Sequence, residues 1–205
     1  MYLLETLEFI KKKFFEVEIF GMGFVGFPLA VRLADQGVNV IGIDTNPKRI
    51  ERLQSNFLMD SEFRLKEKFL SCRKNGHLIL ADAPKESKKP KIGIICVPTP
   101  IPSTGSSSDI FVKCAVDNFL RFAKTGDLII LESSIEVGTT EKIKDIIESK
   151  GFKVGHDFGL CFCPERIDPD NKEWHVENIA RVVYCSDDTS YEIVTQIYMH
   201  VNNAN

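Results

Sequence analysis

The sequence predicts an α/β protein, with a Rossmann-like, doubly wound, mostly parallel sheet and helices on both faces. The first observation is that short apolar runs alternate with helical patterns along the 205-residue chain. The second is the run GMGFVG at residues 21–26, between an apolar run at 17–20 and a helical pattern. The third is Asp44, which directly follows the next apolar run at 38–43. A G-x-G-x-x-G run alone is weak evidence, but this whole ordered unit predicts a dinucleotide site.

Each glycine of the turn has a separate physical role. Gly21 permits the tight turn after the first strand, Gly23 lets a pyrophosphate approach the backbone, and Gly26 lets the helix pack closely on the sheet. The turn also includes Phe24 and Val25, and the helix start presents unpaired N–H groups and a partial positive charge to a phosphate. A tight turn with no ligand is the alternative interpretation.

Asp44 bears on which dinucleotide is bound. Its carboxylate can accept hydrogen bonds from both ribose hydroxyls of NAD and would repel the 2′-phosphate of NADP, so the sequence favours NAD. Lys48 and Arg49 lie just beyond and could in principle hold a 2′-phosphate, which makes Arg49 a candidate cofactor contact. Solvated charges on the next helix are the simpler interpretation of this pair.

Composition and charge exclude several classes of function. Hydrophobic residues make up 43% and charged residues 27% of the chain, which is typical of a globular protein. The net charge is −3 and no basic stripe is present, which argues against nucleic acid as a partner. No apolar run approaches the ~20 residues that span a bilayer. No cysteine spacing resembles a zinc site, so no metal is expected.

The N-terminal stretch, residues 1–15, is predicted to form an amphipathic helix, with Leu3, Leu4, Leu7 and Ile10 at helical spacing. Early acids and the lack of a small-residue cleavage site argue against a signal peptide. Docking on the domain or on a partner is the expected role, with a membrane-surface helix as the minor alternative. The six cysteines are expected to be reduced thiols in a cytoplasmic protein.

The rest of the chain continues the alternation of helices and strands. The run at 98–108 is rich in proline, glycine and serine and follows a strand end, where open α/β sheets bind ligands. A mobile loop beside the cofactor is expected there, with an inert linker as the alternative. Helices are predicted over 47–54, around 62–72, over 109–123, from 139 or 140 to 150, and from 187 or 188 to about 200. Strands are predicted over 78–80, 92–97, 127–131, 158–162 and 181–184.

Five segments together resemble the NAD-binding part of the UDP-glucose/GDP-mannose dehydrogenase family. They are FGMGFVGFPLA (20–30), the acid at position 44, CVPTPI (96–101), LESSIEVGTTE (131–141) and CPERIDPDN (163–171). The last segment looks most like the branch acting on UDP-N-acetylhexosamines, with UDP-N-acetyl-D-mannosamine favoured. The resemblance implies oxidation of a nucleotide-sugar C6 alcohol to a carboxylate with two NAD, through an aldehyde and a cysteine-bound thioester.

The resemblance also implies roles for individual residues. Glu165 falls on a family glutamate implicated in activating the hydrolytic water and in proton transfer, and Ser134 stands where the family usually has threonine. Glu165 could instead cap the next turn or pair with its neighbour, and Ser134 could be an ordinary strand-end hydroxyl. The other implied contacts are Val97, Pro98, Thr99 and Ser133 to the cofactor, and Arg166 and Asp168, together with Glu165, to the sugar nucleotide.

The family's catalytic lysine, a nearby asparagine and the catalytic cysteine are not matched by residues 187–205. We therefore expect an N-terminal helix (1–15), an NAD-binding Rossmann domain (16–186) and the start of a connecting helix to an absent second domain (187–205). Family members commonly form homodimers through that helix, and its loss should leave an apolar patch near residues 190–201. The first hypothesis is the cofactor half of a nucleotide-sugar dehydrogenase. The alternatives are a non-catalytic NAD-binding module and another Rossmann dehydrogenase, of the hydroxyacid type.

Overall fold

A computed structural model describes residues 2–100, 109–165, 180–199 and 201. Arg166, Asp168 and all but the first residues of the proline-rich run lie outside this part of the chain. The helices are α1 (Leu3–Lys11), α2 (Gly26–Asp35), α3 (Pro47–Gln54), α4 (Lys66–Lys74), α5 (Ile110–Leu120), α6 (Thr139–Ser149) and α7 (Asp188–Met199), with a 3₁₀ segment at Asp60–Leu65. The strands are β1 (Glu16–Phe20), β2 (Asn39–Ile43), β3 (Leu78–Ala81), β4 (Lys91–Ile95), β5 (Leu128–Leu131), β6 (Gly159–Phe162) and β7 (Tyr184–Cys185).

The strands form a seven-stranded sheet in the order β3-β2-β1-β4-β5-β6-β7. All neighbouring pairs are parallel except β6 and β7, which are antiparallel. The order reverses direction between β1 and β4, which is the topological switch point where doubly wound sheets open a crevice. The predicted fold class is confirmed.

Two apolar layers cover the sheet, one on each face. The first layer joins the buried sides of α1, α2, α4 and α7, and the second joins those of α5 and α6. The central strands explain this arrangement, because β4 and β5 are buried along their whole length, as expected for parallel strands covered on both faces. None of the described helices is long and apolar enough to cross a membrane.

One buried ion pair lies within the central strands. Glu18 in β1 and Lys91 in β4 each have fully buried side chains, and Lys91 Nζ lies 3.4 Å from Glu18 Oε2. Lys91 Nζ also lies 4.8 Å from the centre of the Phe119 ring. The sequence pattern predicted apolar strands here and did not indicate the pair. Each side chain supplies the opposite charge that the other needs when both are buried.

Helix α1 packs directly on α7. Leu3, Leu7 and Ile10 are buried in the layer that also holds Ile193 and Ile197 of α7. The side-chain hydroxyl of Thr6 donates to the carbonyl of Gly126 at 2.7 Å. The prediction of an exposed apolar patch near residues 190–201 is therefore wrong for the described chain, because α1 covers that face of α7. The apolar face of α1 is buried in the same contact and is not available to a membrane surface.

Two of the six cysteines form a disulfide. Cys161 in β6 and Cys185 in β7 are joined by a disulfide, whereas all six thiols were expected to be reduced. The antiparallel pairing of β6 with β7 places these two residues directly opposite each other, which the sequence pattern did not indicate. The remaining cysteines, all within the described residues, are free.

Several element boundaries also differ from the sequence prediction. Strand β4 ends at Ile95, two residues early, so Cys96 and Val97 belong to the loop that follows it. Strand β7 is a two-residue antiparallel edge rather than a run over 181–184. Asp187 caps α7, since its carboxylate accepts hydrogen bonds from the backbone and side chain of Ser190.

Candidate dinucleotide cleft

A cleft of about 720 Å³ opens at the carboxyl ends of the strands. Its lining combines the glycine turn after β1, the end of β2, and the segments after β4 and β5. This is the position at which open α/β sheets bind ligands, because the strand order reverses beneath it. The cleft is large enough for a small-molecule ligand and is lined mainly by apolar groups with a few polar ones.

The glycine turn is built for close backbone approach. Gly21 has a φ of +94°, and a side chain there would meet the carbonyl oxygen of Cys96 at 2.5 Å. A Cβ on Gly26 would overlap the carbonyl oxygen of Gly21 and press on Ile19, so α2 packs against β1 only with glycine at that position. At Gly23, in contrast, a Cβ would meet no described atom within 4 Å. The Gly23 position therefore faces open space at the cleft.

The N-terminus of α2 faces the same space. The N-cap Val25 makes no side-chain capping hydrogen bond, and the first turn of the helix holds no acidic residue. Phe24 is 59% exposed at the mouth of the cleft. Uncapped N–H groups at a helix start, together with its partial positive charge, suit a phosphate. A diphosphate therefore fits the chemistry of this turn.

Asp44 lies at the end of β2, beside the turn. One carboxylate oxygen accepts a hydrogen bond from the backbone N–H of Met22 at 2.9 Å, and the other accepts one from the N–H of Asn46 at 2.8 Å. These contacts fix the carboxylate at the cleft wall, and each oxygen keeps a further lone pair for a ligand hydroxyl. The carboxylate is thus oriented to accept hydrogen bonds from a diol such as a ribose.

Arg49 also lines the cleft, but its donors point into the protein. Its Nε donates to the carbonyl of Met22 at 2.7 Å, and its guanidinium forms an ion pair with the buried carboxylate of Glu62. The guanidinium also lies over the ring of Phe27, at 5.4 Å from its centre. Arg49 therefore ties α3 and the 3₁₀ segment to the glycine turn.

The segments after β4 and β5 form the opposite wall. Ser133 is buried and its hydroxyl donates to the carbonyl of Val97 at 2.7 Å, which holds the two segments together. Val97, Pro98 and Thr99 line the cleft next to it. Ser134 is exposed at the cleft, with its backbone directly after Ser133.

Glu165 lies at the floor of the cleft, where the chain leaves β6. Its side chain is 4% exposed, and its carboxylate lies 2.8 Å from Nη2 of Arg181. Arg181 in turn reaches Glu132, at the end of β5, with Nη1 at 2.7 Å. Burial raises the pKa of Glu132 to about 7, although Arg181 opposes that change.

Glu132 and Arg181 belong to the site although neither was predicted as a site residue. Glu132 continues the apolar run of β5 as a fully buried acid, and that break in the pattern was the available signal. Other lining residues were also missed; some lie in or beside the glycine turn and the end of β2, and others approach the cleft only because α5 and the segment between β3 and β4 fold over the sheet. They include Met22, Thr45, Asn46, Met59, Asp82, Pro84, Phe111, Cys114 and Asn118.

The cysteines near the floor are poor nucleophiles. Burial raises the pKa of the Cys163 thiol to about 11 and raises that of Cys96 well above its ordinary value. A thiol rather than a thiolate at neutral pH reacts slowly. Both residues therefore serve the packing of the cleft floor.

The sheet order, the glycine turn and the acid after β2 together define a dinucleotide-binding domain of the doubly wound α/β class. The family model described as "UDP-glucose/GDP-mannose dehydrogenase family, NAD binding domain" matches residues 15–202, and the chain belongs to this family. NAD is accordingly its cofactor, as the sequence predicted.

Similar proteins carry consistent names. The UDP-N-acetyl-D-mannosamine dehydrogenase of Methanococcus aeolicus is 32% identical over 191 residues, covering 92% of this chain and 42% of its own length. The UDP-N-acetyl-D-glucosamine 6-dehydrogenase of Salmonella typhi is 29% identical, covering 92% of this chain and 44% of its own. The chain therefore spans less than half the length of these relatives.

A solved structure agrees with these matches. The UDP-N-acetyl-mannosamine dehydrogenase of Staphylococcus aureus superimposes with a TM-score of 0.84 at 30% identity, over 93% of this chain and 46% of that one. An NDP-N-acetyl-D-galactosaminuronic acid dehydrogenase from Methanosarcina mazei gives a TM-score of 0.86 at 27% identity, over 98% and 45% of the two chains.

Proposed function

We propose that this chain supplies the NAD-binding half of an enzyme that oxidises the C6 alcohol of a UDP-N-acetylhexosamine to the uronate, with UDP-N-acetyl-D-mannosamine as the favoured substrate. The observation that carries the proposal is the cleft at the switch point, where the glycine turn, Asp44 and Glu165 line one cavity. The names of the similar proteins support the substrate class. The proposed compartment is the cytoplasm.

Bound NAD supplies the hydride acceptor for alcohol oxidation. In this proposal the backbone amides of residues 23–26 hold the pyrophosphate, because the Gly23 position leaves room for it, whereas the N–H groups of Gly21 and Met22 donate to Ile43 and Asp44. Asp44 accepts the hydroxyls of the adenosine ribose, and Val97, Pro98, Thr99 and Ser133 form the wall against which the rest of the dinucleotide lies.

The structure supports NAD over NADP through the neighbours of the ribose position. A 2′-phosphate would face the carboxylate of Asp44, which the N–H groups of Met22 and Asn46 hold in place. Of the two nearby cations, Lys48 and Arg49, the one that lines the cleft is Arg49, and it is already paired with buried Glu62. Releasing Arg49 for a phosphate would leave that carboxylate buried without its partner, which is costly. In this proposal Arg49 does not contact a 2′-phosphate. It supports the glycine turn instead.

The chemical roles fall to the other end of the cleft. Glu165 is proposed to hold and activate water or accept a proton, and the Ser134 hydroxyl to orient a water or a substrate oxygen. Arg166 and Asp168 are proposed to contact the sugar nucleotide; both lie outside the described residues. The thiols of Cys96 and Cys163 are unsuited to covalent catalysis. Cys114 also lines the cleft, but the family resemblance does not match it to the catalytic cysteine, so the nucleophile is proposed to come from outside this cleft.

In the complete family member, the segment from residue 187 is proposed to begin a connecting helix to a second domain, through which two copies form a homodimer. Sedimentation of the full-length gene product tests this arrangement, with a monomer as the contradicting result.

Calorimetric titration of this chain with NAD and with NADP tests the proposal. We expect NAD to bind and NADP to bind at least tenfold more weakly, since the discrimination rests on a charge contact. The next step is to add UDP-N-acetylmannosamine, UDP-N-acetylglucosamine and UDP-glucose with NAD and to record absorbance at 340 nm. Sustained NADH formation by this chain alone would contradict the proposal that it supplies only the NAD-binding half of the enzyme. Binding without turnover by any complete gene product would favour a non-catalytic module, and turnover of a small hydroxyacid would favour a different dehydrogenase.

A further inference from the structure

A single guanidinium holds two buried carboxylates at the floor of the cleft. Arg181 places Nη1 at 2.7 Å from Glu132 Oε1 and Nη2 at 2.8 Å from Glu165 Oε2. The exposed fractions of the three side chains are 5%, 0% and 4%. Both acids line the cleft, whereas the arginine lies behind them. The cluster therefore sits between the cleft and the protein interior.

Four separate parts of the fold meet in this cluster. Glu132 follows β5, Glu165 follows β6, Arg181 precedes β7, and Tyr198 lies on α7. The Tyr198 hydroxyl donates to Glu132, and its ring lies 4.4 Å from the guanidinium carbon. The backbone N–H of Glu165 donates to the carbonyl of Glu132 at 3.2 Å. Arg181 is thus held on one side by Glu132 and the ring of Tyr198, and on the other by Glu165.

Only an arginine can make this arrangement. Its planar fork places two separate nitrogens, Nη1 and Nη2, against the two carboxylates, whereas a lysine ammonium is a single point charge on a flexible stem. Two carboxylates buried side by side without a cation would repel each other, and at least one would take up a proton. The cation therefore keeps the two acids close together and fixes where each carboxylate lies.

We infer that Arg181 is the positioning residue for Glu165, and that Glu132 and Tyr198 are the anchor that fixes its guanidinium. The inference rests on the proposed function only for the role of Glu165 in chemistry; the arrangement itself is independent of it. By this assignment, Arg181 sets the orientation of the Glu165 carboxylate at the cleft. Glu132 is the group of the cluster that titrates near neutral pH.

The test is the backbone amide resonance of Glu165, followed by NMR from pH 5.5 to 8.5. This amide donates to the backbone carbonyl of Glu132, the residue whose carboxylate titrates, so in the parent protein its shift should report the Glu132 transition near pH 7. The Glu132→Gln variant should abolish the transition. The Arg181→Lys variant should move the midpoint upward by about one pH unit, because the cation no longer serves both acids. The charged groups that face one another here are Glu132, Glu165 and Arg181, with the thiols of Cys96 and Cys163 and the hydroxyl of Tyr198.

The matched control is Arg121→Lys, on an exposed surface at the end of α5. This variant should leave the midpoint unchanged. An Arg181→Lys midpoint equal to that of the parent, or a transition that persists in Glu132→Gln, would overturn the inference. If Arg181→Lys does not fold, Glu165→Gln takes its place: removing one of the two acids that share the cation should lower the Glu132 midpoint, and an unchanged midpoint would overturn the inference.

Cofactor binding separates this inference from the proposed function. Arg181→Lys should bind NAD within about twofold of the parent, because Arg181 does not line the cleft and is not among the proposed dinucleotide contacts. Failure of the parent to bind NAD would overturn the proposed function and leave the NMR result standing. Normal NAD binding combined with an unshifted midpoint would overturn only the role of Arg181.

Discussion

The carboxylate of Asp44 accepts a hydrogen bond from the backbone N–H of Met22 at 2.9 Å, so the end of β2 is tied to the glycine turn after β1. The same contact orients the carboxylate along the cleft wall. One side chain therefore contributes to the shape of the turn and to the proposed ribose site. Replacing it tests both roles at once, and a second substitution separates them.

The Asp44→Ala variant should lose NAD affinity by at least about ten- to a hundredfold, because each charge-assisted hydrogen bond is worth on the order of 1.5–3 kcal/mol. The Asp44→Asn variant keeps one acceptor oxygen and should lose less. Calorimetric titration measures both. Asp145→Ala, at an exposed position on α6, is the control and should bind as the parent does. An Asp44→Ala affinity within error of the parent would refute the ribose assignment.

The glycines at 23 and 26 should respond in opposite ways to alanine. Gly26→Ala forces a Cβ onto the carbonyl oxygen of Gly21, so we expect a loss of about 1–3 kcal/mol in unfolding free energy. Gly23→Ala meets no described atom within 4 Å and should fold normally. Its methyl group should nevertheless occupy the space of the pyrophosphate and reduce NAD affinity at least tenfold.

Thermal unfolding and NAD titration, run on both variants, separate the two effects. A stable Gly23→Ala protein with unchanged NAD affinity would show that the diphosphate does not lie against this turn. A Gly26→Ala protein as stable as the parent would show that α2 can move away from β1.

The sequence was sufficient to predict the sheet, the position of the cleft and part of its wall, because those follow from local patterns. The glycine turn, the following helix and Asp44 occupy only residues 20–44, and their spacing alone fixes their arrangement. The Cys161–Cys185 disulfide was not predictable, since it depends on a two-residue edge strand pairing in the antiparallel sense. Arg181 was missed because its contact also depends on tertiary structure: it reaches Glu132 from 49 residues away in sequence.

Two buried acids make stability depend on pH. Burial raises the pKa of Asp127 from 3.8 to about 6 and that of Glu132 from 4.5 to about 7. Each acid binds its proton more tightly in the folded state, so this stabilisation is complete at low pH and is lost as pH rises through about 6 to 7. We expect urea unfolding at pH 8 to give a free energy about 2 kcal/mol lower than at pH 5.5.

The matched variant for this pH effect is Asp127→Asn, which removes one titrating group. In this variant, the difference in unfolding free energy between pH 5.5 and pH 8 should become smaller. The hydrogen bond from Lys113 lowers the pKa of Asp109, so Asp109 stabilises the fold as pH rises. That contribution changes only at pH values more acidic than the range compared here. A parent protein more stable at pH 8 than at pH 5.5 would contradict the prediction.

The N-terminal helix α1 offers a matched pair of leucines, because Leu7 is 4% exposed whereas Leu4 is 67% exposed. Leu7→Ala removes packing between α1 and α7 and should cost about 2–5 kcal/mol. Leu4→Ala should change stability by less than about 0.5 kcal/mol. Urea unfolding measures both, and equal effects would show that α1 does not cover α7.

Replacing only one partner of the ion pair between Glu18 and Lys91 should lower the free energy of unfolding more than replacing both partners. Lys91→Met leaves the Glu18 carboxylate buried among the central strands without its cation, and we expect a loss of about 3–5 kcal/mol. The double variant, Glu18→Leu with Lys91→Met, removes both charges and should recover most of that loss, because neither side chain then needs a polar partner. Lys113→Met, which breaks a partly exposed pair with Asp109, is the control and should cost less than about 1 kcal/mol. A double variant less stable than Lys91→Met alone would show that the pair contributes net stability to the sheet.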